Sequence, residues 1–522
     1  MRKKTKFSGG KETKMIEFVK KYKTSIFLSV LFSLLCFGFM LTHFTITIDE
    51  ESWILSARNE TMWLYQGRFI IWLFDLIFTE GGNYAPFLWD ISGILFWNLS
   101  GIIFAYCLFA KTEIKQWILF IFLSYYSSLT FVLGDVFSFS MYSLQIGLAS
   151  VTVAAAFYYT LKYLEKKNWK TALIVLGLLL YSFGTYQAFI CVYISAVAAF
   201  CLLCFLSGHR DRIKYDIIIS AVLCLIAIAS YYLINFIIGK AIGTQGYLTE
   251  NYIGWTSGEP LKAFALAMAN VGRVSFAIPV LDVYVNGGTA LRWVTIAFVI
   301  YAIWKFFKCN GIREKAGIFF FSVALCFAPF SLYLAIATYK TQGRMMLALP
   351  LVGAVQLYLI LREINKKALL YAAMAASGYL LFINARDMNL FYYYSSIVYE
   401  KDCSIAEEIM YDIEEKGIDY REKPLAFIGM VAQEPQPTKE LGVLGGSMFA
   451  WDEGNNLRMT DFIQTRGYNV RAADSTQLQK ALVESASMTV WPQEGSIKEL
   501  DDVIVVYLSQ PVEEWYITNQ AQ

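Results

Sequence analysis

The chain has 522 residues, of which 57% are hydrophobic, 17% aromatic and only 16% charged. So apolar a composition, carried in long uncharged runs, excludes an ordinary soluble enzyme and points to a polytopic α-helical membrane protein. A net charge of +2 gives no sign of a nucleic-acid partner, and the nine cysteines show neither a disulfide framework nor paired metal spacing. The only two histidines, His43 and His209, sit in different segments, which argues against a zinc or histidine-based mechanism.

In chain order, residues 1–24 carry nine Lys and Arg, with no small-residue cleavage site behind the first apolar run. They read as a retained cytoplasmic arm followed by a true span. Apolar stretches of roughly 20 residues then predict spans near 25–44, 86–110, 117–133, 136–161, 171–187, 189–207, 217–239, 289–307, 317–337, 345–361 and 367–384. With the N-terminus inside, 25 of the 44 Lys and Arg fall in 1–24, 111–116, 162–170, 208–216, 305–316 and 362–367. Only eight fall in the outward loops before residue 385. This is the positive-inside pattern, and an odd number of spans, about eleven, puts the C-terminus outside.

Residues 25–386 thus form a transmembrane domain with two long outer loops, 45–85 and 240–288. The first contains FIIWLFDLIF (69–78), too short to span and suited to the outer interface. The second holds an apolar stretch, 261–281, broken by Arg273 and Pro279, which also reads as interfacial. Residues 387–522 are charged and carry ordinary turn signals, so they predict a soluble extracytoplasmic α/β domain. Ile405, Ile409 and Ile413, four apart, predict a helix over 401–416. PLAFIGMV (424–431), SMTVWP (487–492) and DDVIVVYLS (501–509) read as buried strands. LGVLGGS (441–447) has the look of a phosphate loop, but no Lys follows it.

Ionisable residues gather at one side. Asp49, Glu50, Glu51, Arg68, Asp135, Gln187, Lys340 and Arg344 all map to outer loops or outer ends of spans, and almost none lies at mid-span. Carriers usually place acids near the bilayer centre; here the expected working surface is an outer pocket. Such a pocket suits transfer of a sugar from a polyprenyl-phosphate carrier. A carboxylate, Asp49 or Glu50, takes the proton from the attacking hydroxyl, while Arg68, Arg344 and Lys340 hold the departing phosphate. Asp135 is the second-loop acid, and Tyr65, Gln66, Tyr186 and Gln187 are candidates for sugar or acceptor contact. Glu51 reads as a bystander, and Asp75, seven residues on, is the alternative partner for Arg68. The rival function is a transporter or flippase of lipid-linked sugars.

Asp49-Glu50 after the first span, Tyr65-Gln66-Gly67-Arg68-Phe69, the GTYQAF of 184–189 and an outer soluble tail resemble the type II O-antigen glucosyltransferases of phage serotype conversion. That resemblance implies an integral-membrane C-type glycosyltransferase fold, of inverting type, at the outer face of the bacterial inner membrane. It implies an acidic pair, matched by Asp49 and Glu50, as the catalytic centre. It further implies an undecaprenyl-phosphate sugar as donor, most commonly glucose, and a surface polysaccharide as acceptor, with a flippase and a donor-lipid synthase as candidate partners. A divalent metal is permitted by the acid cluster, and no other cofactor is expected.

Overall fold

A computed structural model describes residues 14–55, 61–79, 85–208, 213–243, 252–256, 258–278, 287–338, 342–431 and 446–520. They are mostly helical and divide into two compact units. One comprises Met1–Leu41, Glu60–Phe78 and Ala85–Asn389; the other comprises Thr42–Asn59, Thr79–Tyr84 and Leu390–Gln522.

In the first unit, helix occupies all eleven stretches expected to span. Among the described residues, seven helices are long and apolar enough to cross a membrane: Pro86–Phe109, Ser140–Lys166, Phe189–Leu206, Ile213–Ile242, Thr289–Lys308, Ile312–Ala335 and Lys367–Glu415. An eighth arises if Gln116–Tyr126 and Thr130–Val136, bent by 49°, count as one broken span. Lys23–Cys36, Trp169–Thr185 and Leu349–Leu361 are apolar but shorter. At 1.5 Å per residue these fall short of a hydrocarbon core of roughly 30 Å. Phe69–Phe78 and Pro260–Ser275 are helical where interfacial helices were expected.

Small residues set the closest helix crossing. A Cβ on Gly147 would lie 2.7 Å from the Cα of Gly93, and one on Gly93 would lie 2.5 Å from the Ser143 carbonyl oxygen. Backbones that approach so closely gain dispersion contact along both helices, and any added side chain would force them apart.

The last helix departs from expectation. Instead of a span ending at 384 and a separate helix at 401, one helix runs Lys367–Glu415. Between Tyr379 and Lys416 the sequence contains neither Gly nor Pro, so nothing local stops it. Gly417 does, at φ +70°, in a Schellman cap: Gly417 N–H donates to Glu414 O at 2.9 Å and Ile418 N–H to Ile413 O at 3.2 Å.

The second unit is built on a three-stranded sheet of order β1-β3-β2, with β1 Leu425–Ile428, β2 Ile497–Glu499 and β3 Ile504–Tyr507. β1 runs parallel and β2 antiparallel to β3. Strand alternation divides its core in two. Leu425, Phe427, Ile504 and Val506 pack with Ile405, Ile409, Ile413 and Phe462, whereas Ala426, Ile428 and Val505 pack with Leu478, Ala481 and Trp515. Ile46 and Ile48 of the first loop join the former group, so the segment carrying the acid triplet folds with the C-terminal residues. SMTVWP is not a strand; it forms turns around 486–492, and the third strand is Ile497–Glu499. Pro492 cannot donate to a ladder, and the positive φ of Gly495 supplies the turn into the strand that does pair. Within LGVLGGS, residues 441–445 lie outside the described residues.

If the Gly93–Gly147 contact holds the helical unit together, Gly147→Leu should destabilise the detergent-solubilised protein by about 1–3 kcal/mol. Gly177→Leu, at a position with nothing within 4 Å of a new Cβ, should leave the thermal midpoint near that of the parent. Equal shifts for the two would refute the packing argument.

Candidate functional site

Within the first unit, two arginines stand against aromatic rings, Arg68 over Trp63, Tyr142 and Tyr186 and Arg344 over Phe139. Thr61–Tyr65 is a single helical turn closed by Gly67 at φ +69°. Gly67 N–H donates to Leu64 O at 3.0 Å and Arg68 N–H to Trp63 O at 2.7 Å, again a Schellman cap. The Tyr-Gln-Gly-Arg motif is therefore a helix stop, and it needs glycine twice over: a Cβ there would meet the Tyr231 hydroxyl at 2.5 Å. The stop aims two successive carbonyls and one cation. Gln187 Nε2 donates to Gln66 O and to the Tyr231 hydroxyl, both at 2.7 Å, and Tyr231 donates to Gly67 O at 3.1 Å.

Arg68 follows. Its guanidinium carbon lies 4.7 Å from the centre of the Tyr186 ring, 5.6 Å from Trp63 and 5.8 Å from Tyr142. It forms no ion pair among the described residues, and its Nε is buried without a hydrogen-bond partner. The alternative pairing with Asp75 is not formed; Asp75 accepts from Gln145 Nε2 at 3.1 Å. Ring faces offset part of the cost of desolvating a guanidinium, about 0.5–2 kcal/mol each. They leave its N–H donors unused.

Arg344 is compensated differently. Its Nη1 and its backbone N–H each donate to Asp135 at 2.9 Å, one to each carboxylate oxygen, with the Asp135 side chain only 2% exposed. The approach depends on Gly343, whose added Cβ would lie 1.9 Å from Phe131 O and 3.3 Å from Asp135 Cβ. The 3-10 turn Gly343–Met346 thus seats directly on the short helix Thr130–Val136. Two acids and bases predicted separately, 209 residues apart, form one pair. Lys340, expected beside them, lies outside the described residues. Tyr65 is exposed, and Tyr186 and Gln187 occupy the turn between Trp169–Thr185 and Phe189–Leu206.

The acid triplet belongs to the second unit. Glu50 is fully buried; its Oε2 accepts from Thr47 N–H at 2.9 Å and from the Thr47 hydroxyl at 3.0 Å, closing the start of Glu50–Leu55. Asp49 adopts φ +79° and keeps 59% of its side chain exposed, with Oδ1 3.2 Å from Arg458 Nη2. Glu51, read from sequence as a bystander, is instead buried and ion-paired to Arg458 Nη1 at 2.5 Å. Arg458 also reaches Asp452 at 3.3 Å and has a side chain only 11% exposed. Burial pushes the Glu51 carboxyl up to about 7 against the opposing pull of Arg458, with Asp49 adding to the rise. Burial likewise raises Asp461 to about 6, with Arg458 opposing. Among the described residues no group of three or more His, Cys, Asp and Glu is placed to hold a metal ion.

Sequence reasoning missed Arg458, Tyr231, Trp63 and Tyr142. Arg458 comes 407 residues after its partner Glu51 and sits on a helix, Asn456–Thr465, of ordinary amphipathic pattern. Trp63 and Tyr142 are marked out by their contact with Arg68, and Tyr231 by its bond to Gly67 O.

The family model described as Glucosyl transferase GtrII matches residues 38–358, a stretch that includes Asp49, Glu50, Arg68, Asp135, Tyr186 and Arg344. No curated protein matches the chain.

The Glu51 shift has a sign that can be measured. Its folded value of about 7 exceeds its ordinary 4.5, so folding favours the protonated carboxyl. The stability this contributes is complete below about pH 4.5 and is lost as pH rises through 7. Gln mimics the neutral form. The thermal midpoint of Glu51→Gln, taken relative to the parent, should therefore move in the variant's favour between pH 5 and pH 8. A constant difference, or one moving the other way, would contradict the assignment.

Proposed function

The chain belongs to the glucosyl transferase GtrII family, and from that premise we propose that it moves glucose from a polyprenyl phosphate to a polysaccharide acceptor. The reaction is placed at the outer face of a bacterial cytoplasmic membrane, on an integral-membrane C-type scaffold with the C-terminal α/β unit outside. Its seven long apolar helices are compatible with a membrane enzyme, and the basic bias of the alternate loops supports this orientation.

The observation that carries the proposal is Arg68: a partly buried guanidinium, ringed by aromatics and without a carboxylate among the described residues, whose donors suit a phosphate. Arg344, already neutralised by Asp135, contributes position more than net charge. Among the acids, Asp49 is the better general base. It alone of the triplet keeps its carboxylate substantially exposed, whereas Glu50 is committed to Thr47 and Glu51 to Arg458. In the proposed step the acceptor oxygen attacks the anomeric carbon and its proton passes to Asp49. The carbon–oxygen bond to phosphate breaks, and its electron pair leaves with the phosphate oxygen. Attack opposite the leaving group inverts the anomeric centre. Arg68 stabilises the charge that gathers on the departing phosphate. Tyr186, whose ring faces the cation, and Gln66 and Gln187, joined to each other beside the turn that carries it, are assigned to the sugar.

Transfer from synthetic polyprenyl-phosphate glucose in membrane vesicles tests this. Asp49→Asn should lower turnover by about two to four orders of magnitude, the range for loss of a general base, with insertion unchanged. Arg68→Leu should raise the donor KM by about tenfold or more, as expected for loss of a charged hydrogen bond. Glu50→Gln should reduce the amount of folded protein more than its specific activity. Full turnover by Asp49→Asn would overturn the assignment of the base.

A further inference from the structure

We propose that Arg458 is a positioning residue for Asp49, so that the C-terminal unit supplies a working part of the transferase. The inference rests on the reading of Asp49 as general base and extends it to a residue beyond the matched 38–358.

The argument is geometric and lies wholly within the second unit. Arg458 projects from Asn456–Thr465, whose N-terminus is fixed by the Asn455 side chain accepting from the Arg458 N–H at 3.0 Å. Its backbone is thus pinned at the first turn, where the side chain begins. The guanidinium then spreads over three carboxylates from two other segments: Glu51 at 2.5 Å, Asp49 at 3.2 Å and Asp452 at 3.3 Å. The division is unequal. Nη1 is given to buried Glu51, which anchors the fork, and Nη2 is shared between Asp49 and Asp452, both of which reach solvent.

The two shared acids are also two of the six non-glycine residues with positive φ: Asp49 at +79° and Asp452 at +55°, with Glu453 beside it at +55°. Left-handed backbone disfavours any side chain, aspartate less than most. Such conformations persist where surrounding contacts over-determine them, and they concentrate at working sites. Here the contact that both segments share is Arg458. The turn Trp451–Glu453 and the turn at Asp49 are held against one cation, and Asp49 is thereby presented with a fixed direction while more than half of its side chain stays accessible.

Charge gives the same answer. One cation faces Asp49 and Glu51 from the first loop, Asp452 from the turn, and Asp461 one helical turn along its own helix. Without it, three or four carboxylates would crowd together, and mutual repulsion would drive the most exposed of them, Asp49, outward. A purely structural ion pair would need only Glu51; a fork shared with an exposed, strained aspartate is arranged for that aspartate.

The test is steady-state transfer by the full chain in vesicles, normalised to correctly inserted protein, for Arg458→Met and Arg458→Lys. With Arg458→Met, turnover should fall at least tenfold while the donor KM stays within about twofold. Arg458→Lys, a point charge without the fork, should recover only part of that turnover, again with the donor KM unmoved. Unchanged turnover in Arg458→Met, with Asp49→Asn inactive, would overturn this inference and leave the base assignment standing. Should Asp49→Asn itself be active, the underlying reading fails instead. If Arg458→Met does not accumulate, Arg458→Lys alone decides: parental turnover refutes the positioning role.

Discussion

Three arginines are withdrawn from water, and the manner in which each charge is compensated organises what this protein can do. A guanidinium cannot shed its proton, so burial must be offset by carboxylates, by ring faces or by a ligand. Arg344 has Asp135, bound through side chain and backbone alike. Arg458 has an excess of acids, Glu51, Asp49 and Asp452. Arg68 has three aromatic rings and no acid among the described residues. The first is a strut and the second a hub, and the third is the one proposed to bind the donor.

The local structure around each arginine is set by a glycine or a cap. Gly67 stops a helix and turns the chain so that Arg68 enters the rings while two carbonyls meet Gln187 and Tyr231. Gly343 lets the backbone of Arg344 rest against Phe131 and Asp135. Asn455 caps the helix Asn456–Thr465 by accepting from the Arg458 N–H. A substitution at any of these positions acts on the cation indirectly, by moving the backbone that aims it. The Tyr-Gln-Gly-Arg segment of this chain therefore encodes turn geometry as well as chemistry.

Much of the fold was legible in the sequence because hydropathy and charge bias are strong, local signals. Helix was found at every stretch expected to span, and the isoleucine stripe 405, 409, 413 is buried as its spacing required. What failed was local pattern without context. SMTVWP has the composition of a strand, yet the ladder went to Ile497–Glu499, whose single buried residue gives almost no periodic signal. The final helix overran its predicted end since only Gly417 could stop it. At the site, Asp135 and Arg344 were both named and proved to be partners. The burial of Glu51 could not be read because sequence reports charge but not burial, and Arg458 was invisible because Glu51 and Asp49 lie some four hundred residues away. Long-range charge pairing leaves no trace in any window of the chain.

The central claim is that Arg68 receives the donor's phosphate. The most direct measurement is the phosphorus-31 resonance of a short-chain polyprenyl phosphate titrated with the solubilised protein. The account predicts a saturable shift and broadening that are abolished in Arg68→Leu and persist in Asp49→Asn. An unchanged titration in Arg68→Leu would contradict it.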